Sequence, residues 1–165
     1  MKTQVVLLVL LISFFSTSKV SAQKDSVPTV TTVNTQFQRV VVIRIKYATD
    51  LLQGLQDAID KEKIKNAVIL SGIGSVTEYT IHSVGSTTFP VKNVFHSEKG
   101  PFDIVNVNGY VFDKRIHAHL IISDLNKAVG GHLEPKTIVY TFAIVTIGVL
   151  PDDTNMKNFD NWERR

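Results

Sequence analysis

Between Arg39 and Val149 the chain is a succession of β-branched, alternating segments, and a single window carries helical spacing. That imbalance constrains the fold more than any other feature. The segment RVVVIRIK, Arg39 to Lys46, is strongly β-branched and ends in apolar/charged alternation, the pattern of a strand. Asp50 follows a Tyr-Ala-Thr turn and suits a helix N-cap. Leu51, Leu52, Leu55, Ala58 and Ile59 then recur on one helical face, which closes among Lys61, Glu62, Lys63 and Lys65. Further strands are expected at residues 67–70, 76–82, 90–96, 102–112, 115–123, 128–133 and 137–149, seven or eight in all. Short connections between neighbours favour antiparallel pairing. The expectation is an α+β domain: a mostly antiparallel β-sheet with one main helix packed on it.

The beginning of the chain has a different character. Met1-Lys2 is followed by an apolar run over residues 5–15 broken only by Ser13, then a polar stretch ending in Val20-Ser21-Ala22. These are the three regions of a secretory signal peptide, expected to be cleaved after Ala22. The run is too short for a membrane anchor, which needs about 20 apolar residues. Cleavage would remove Lys2 and Lys19, so the net charge of +3 falls to +1 and the basic pI near 9.1 loses most of its meaning for nucleic acid. The implied organisation is a signal peptide at 1–22, an extended lead-in at 23–37, one domain at 38–150 and a polar tail at 151–165. The implied location is periplasmic or secreted, with no membrane span after cleavage. The chain has no cysteine, which excludes disulfides, thiolate metal ligands and a thiol nucleophile. A domain of this size can fold on an ordinary core without such staples.

The strongest chemical signal is His117-Ala118-His119 inside an expected strand. Residues two apart on a strand share a face, separated by about 6.6 Å along the chain. His132 follows past the tight turn Asp124-Leu125-Asn126, so a hairpin centred there puts residue 117 or 119 opposite a partner in the low 130s. Three imidazoles on one face can converge on one ion and leave a position open. The same spacing also suits three ordinary polar strand residues, and spacing does not separate the two. His82 and His96 stand outside the trio and are expected to be dispensable for a metal.

Gly72-Ile73-Gly74-Ser75 lacks the third glycine and the following helix of a dinucleotide loop, so a bend between strands is the better reading. Gly130 and Gly131, directly before His132, allow close backbone approach to that imidazole. Glu134 and Glu78 are the carboxylates that flank these segments and are the candidates for a further ligand or an acid/base. No G-x-S-x-G elbow is present, and Lys114-Arg115 is too short for a nucleic-acid footprint.

Taken in order, Leu70-Ser71-Gly72-Ile73-Gly74-Ser75-Val76, Val107-Asn108-Gly109, His117-Ala118-His119-Leu120 and Val129-Gly130-Gly131-His132-Leu133 resemble the plant and prokaryote conserved (PPC) domain, from about Gln38 to Val149. The resemblance implies a compact α+β fold assembled as a homotrimer. It also implies a histidine trio that holds a metal such as zinc, here His117, His119 and His132. Plant members carry AT-hook segments with an Arg-Gly-Arg core; this chain has none, which leaves a DNA role without its usual side chains.

Three functions follow as expectations. The first is an exported homotrimeric module binding a divalent metal, zinc first, and a small anionic ligand. The second is a metal-dependent enzyme of unassigned substrate and catalytic residues, and the third is DNA binding by family association.

Overall fold

Asp50 begins the helix as the sequence asks. One oxygen of its carboxylate accepts from the backbone N–H of Gln53 at 3.1 Å, and the other accepts from Lys136 N at 2.5 Å, so the cap also fixes a distant connection. In the computed structural model, which describes residues 29–161, the elements are β1 (Arg39–Lys46), α1 (Leu51–Lys61), β2 (Ala67–Val84), β3 (Asn93–Phe112), β4 (Arg115–Ser123), β5 (Ala128–Leu133) and β6 (Ile138–Val149). The expected signal peptide at 1–22 lies outside the described residues, as do residues 23–28 of the lead-in and 162–165 of the tail. Among the described residues no helix is long and apolar enough to cross a membrane.

All strand pairs are antiparallel, in the order β1-β6-β2-β3-β4-β5. A further pairing brings β5 back onto the end of β2, through Ile81 opposite Leu133 and His82 opposite His132. Strands β2 to β5 therefore close on themselves at one end, which pairs the His132–Leu133 part of the β5 edge that an open sheet would leave free. The helix lies against β1 and β6 and buries Leu51, Leu55 and Ile59 completely. Each of these side chains contributes roughly 1.5–3 kcal/mol relative to exposure. They join Ile43, Ile45, Ala67, Val145 and Ile147 in one continuous core.

Among the described residues there are six strands rather than seven or eight, because two pairs of expected strands are each one long strand. The first join is at Gly72 to Ser75, which is not a turn between strands but the middle of β2. Gly74 adopts φ +146, and a Cβ there would lie 2.1 Å from the Phe142 carbonyl oxygen. A bulge follows between Gly74 and Val76, so the strand bends against β6 without breaking. The second join is in β3, where Gly100 and Pro101 fall at a bulge opposite Thr77. A proline is tolerated there because no ladder hydrogen bond is required of it.

The tail is anchored. Buried Asn66 accepts from Leu150 N at 2.9 Å through its backbone and donates from its side chain to Thr154 O at 3.2 Å. Its Oδ1 accepts from Asp113 N at 3.0 Å, tying the tail to the β3–β4 turn.

Candidate metal centre

The closure of β5 onto β2 decides what the site contains. His82 is opposite His132, His132 is opposite His119, and His119 is opposite Asn108. Residues directly opposite in a ladder point to one face, so three histidines from three adjacent strands form a row. His117 lies two residues before His119 and shares its face. The His132 ring is central: its centroid is 4.5 Å from that of His82, 4.8 Å from His117 and 5.6 Å from His119. All four rings line one cavity of about 1070 Å³, walled on its apolar side by Val84, Val91 and Ile121.

Local sequence makes this approach possible. A Cβ on Gly131 would come within 2.7 Å of the His82 carbonyl oxygen, so β5 can pair with β2 there only with glycine or a shifted backbone. Gly130 lines the cavity beside it. The hairpin before it is held by Asp124, whose Oδ1 accepts from the backbone N–H groups of Asn126 and Lys127 at 2.7 and 2.8 Å.

Two carboxylates reach the rings. Oε1 of Glu134 lies 2.6 Å from Nδ1 of His82 and 3.6 Å from Nδ1 of His132. Oδ1 of Asp160 lies 2.8 Å from Nδ1 of His117. Glu134 is held by fully buried Thr137, whose hydroxyl donates toward Glu134 O at 3.0 Å and accepts from Thr80 N at 3.1 Å. Burial first, and then the neighbouring imidazoles His117 and His82, keep His119 below the ordinary histidine value of 6.5. Burial likewise lowers His132, followed by His82 and His117, against a smaller opposing pull from Glu134. Both rings are thus biased to the neutral form that a metal requires.

His117, His119, His132, Glu134, Gly130 and Gly131, all read from the sequence, are brought to this cavity or its immediate border. Glu78 is not. It forms an ion pair with Lys99 at 3.6 Å, on a part of β2 away from the histidines. Gly72 and Gly74 also lie elsewhere, packed against Val107 and against the Phe142 backbone. His96 stays apart, tilted on the Tyr79 ring and 3.8 Å from Glu98. His82 corrects the expectation made for it, because it stands inside the cluster. Only the β2–β5 pairing puts it there, and no short spacing in the sequence signals that pairing. Asp160 gives no sequence signal either, being one acid in a polar tail.

The donors suit a divalent ion. One set, His82, His132 and Glu134, has ligand atoms all within 4.8 Å of one another. A tetrahedral ion at 2.0–2.1 Å needs donors about 3.3 Å apart, so side-chain adjustments on the order of 1 Å close the set. Imidazole nitrogen with carboxylate oxygen fits zinc, and also nickel, copper or iron.

Known proteins resemble this chain in fold and sequence. A segment of the bifunctional protein GlmU from Synechococcus sp. (strain JA-3-3Ab) is 26% identical over 110 residues, 66% of this chain and 17% of that protein. The chain thus spans about a sixth of the length of the curated relatives it matches. A metal-containing protein from Archaeoglobus fulgidus superposes with a TM-score of 0.67 at 20% identity, covering 76% of this chain and 89% of that one. A plant- and prokaryote-conserved protein from Pyrococcus horikoshii gives 0.64 at 22%, covering 76% and 87%. A Bacteroides thetaiotaomicron protein provisionally described as DNA-binding gives 0.60 at 18%, covering 69% and 80%. At these identities the structural likenesses establish the fold. The family profile itself matches residues 33–151, and by that match the chain belongs to the Plants and Prokaryotes Conserved (PCC) domain family.

Proposed function

We propose that this protein is an exported homotrimeric module that binds a divalent metal ion, zinc first, in the histidine cavity. The observation that carries the reading is the placement of His132 between His82, His117 and His119, with all three ring centroids within 5.6 Å of its own. His117, His119 and His132 supply three nitrogens and leave a fourth position open, with His82 and Glu134 standing beside that trio. When bound, the ion supplies a positive centre with an exchangeable position. A small anionic ligand is the natural occupant of that position, drawn by the ion itself, since Arg115, which also lines the cavity, is already paired with Asp160.

Export is supported by the apolar run at residues 5–15 and the small residues before Ala22. Trimer formation is supported by the outer sheet face, where Val40, Val42, Ile73 and Val105 are more than half exposed. A second reading, a metal-dependent enzyme, draws on the His82–Glu134 pair, a ready proton acceptor beside the donor set. DNA binding has the descriptions of two structural neighbours in its favour, but no Arg-Gly-Arg segment in this chain.

Elemental analysis of purified protein tests the first reading. The expected result is about one ion per chain, lost in a His117→Ala/His119→Ala/His132→Ala variant. Equal metal content in both refutes it. A salt-dependence titration on duplex DNA, expected to show no binding at physiological ionic strength, decides the third reading.

A further inference from the structure

Asp160 lies beyond the segment 33–151 that the family profile matches. Its side chain is nonetheless only 16% exposed. Oδ1 meets His117 Nδ1 at 2.8 Å, and Oδ2 meets the guanidinium of Arg115. The two carboxylate oxygens thus engage separate partners two residues apart on one face of β4. The strap that delivers this carboxylate is fixed at several points. Asn66 binds it at Leu150 and Thr154, Met156 is 8% exposed, and the Phe159 N–H closes a turn on Met156 O at 3.3 Å.

An unpartnered neutral imidazole exchanges between two tautomers. One that donates Nδ1–H to a carboxylate keeps its lone pair on Nε2, and the ring plane is held as well. Glu134 stands in the same relation to His82 through that ring's Nδ1. Two carboxylate–histidine pairs, one built within the family segment and one from the tail, therefore bracket His132.

We propose that Asp160 is a positioning residue for His117, fixing the proton on Nδ1 so that Nε2 serves as a metal donor, with Arg115 holding the second carboxylate oxygen. The proposal rests on the metal-binding reading and deepens it. The C-terminal strap is then this chain's own contribution to a site whose other members lie within the family segment.

The test combines two readouts on the full mature chain. In metal-free protein at pH 8, long-range 1H–15N spectra of His117 should show a protonated Nδ1 and an unprotonated Nε2. Asp160→Ala should turn this into a mixture of tautomers. Asp160→Asn keeps an acceptor oxygen and should preserve the wild-type pattern. Zn2+ affinity, measured with the metal alone against a competing chelator, should fall roughly 10–100-fold in Asp160→Ala and severalfold in Asp160→Asn. If either the tautomer or the affinity is unchanged in a folded Asp160→Ala protein, the proposal fails. Should that variant not fold, the Asn variant decides, and unchanged Zn2+ affinity there overturns it. If wild-type protein binds no Zn2+, the metal reading fails, while the His117 spectrum still shows whether Asp160 sets its tautomer.

Discussion

The rings of His82 and His132 stack with centroids 4.5 Å apart and 19° between their planes, and they do so only because β5 turns back onto β2. That contact makes His82 part of the site rather than a bystander. Substituting His82→Ala should weaken metal binding by about 10–100-fold, and Glu134→Ala should have an effect of similar size. His96→Ala should leave it unchanged, since His96 sits with Tyr79 and Glu98. Chelator competition on the three variants checks this. Wild-type affinity in His82→Ala would return the site to His117, His119 and His132 alone.

The parts of this site that were legible in the sequence are those written in local spacing. The i, i+2 period placed His117 and His119 on one face, and the Asp124 turn brought His132 opposite His119. Asp50 as the helix cap was legible for the same reason, because its partner is three residues away. What escaped depends on contacts between distant segments. His82 needed the ring closure of β2 and β5, and Asp160 needed a strap tied down through Asn66. The merged strands escaped for another reason. Glycine and proline ordinarily punctuate, yet Gly74 and Pro101 sit at bulges where the ladder tolerates them.

Acid should destabilise the metal-free protein in a defined window. His119 and His132 have folded values below the unfolded 6.5, through burial first and neighbouring imidazoles second. Below about 6.5 the unfolded chain therefore binds more protons than the folded one, and stability falls as pH falls toward the folded values. Above that point the contribution is fully present and flat. Urea midpoints of metal-free protein should be lower at pH 5.5 than at pH 8. A His119→Gln/His132→Gln variant should lose part of that difference. An identical slope in the variant would show that these two rings do not carry the effect.

Gly109 ties the backbone to the site. It adopts φ +145, and a Cβ there would lie 2.1 Å from the His117 carbonyl oxygen. Backbone cannot yield as a side-chain tip can, so Gly109→Ala must part β3 from β4 where His117 is held. The expected cost is about 3 kcal/mol, or roughly 10 °C in Tm. Metal affinity should fall with it. A calorimetric scan showing an unchanged Tm would contradict the geometry.

Assembly offers the last test. Val42 and Ile73 are 66% and 56% exposed, on the sheet face opposite the helix. Ile73 is level with Ile144, which in turn faces Arg44, and Arg44 lies over the Phe142 ring at 5.8 Å. The result is a largely apolar surface running across β1, β6 and β2, with Arg44 and Lys46 at its β1 side. Because both side chains are already exposed, glutamate at either position should change the stability of a single chain by less than about 0.5 kcal/mol. Burying two unpaired carboxylates in an interface costs several kcal/mol for each, enough to prevent association. Light scattering on the wild-type chain from Gln23 onward should give a mass near three chains if the proposed trimer forms. The Val42→Glu/Ile73→Glu variant should give a folded monomer with unchanged circular dichroism. A wild-type monomer at micromolar concentration would remove the trimer, and a variant that stays trimeric would move the interface to a different face of the molecule.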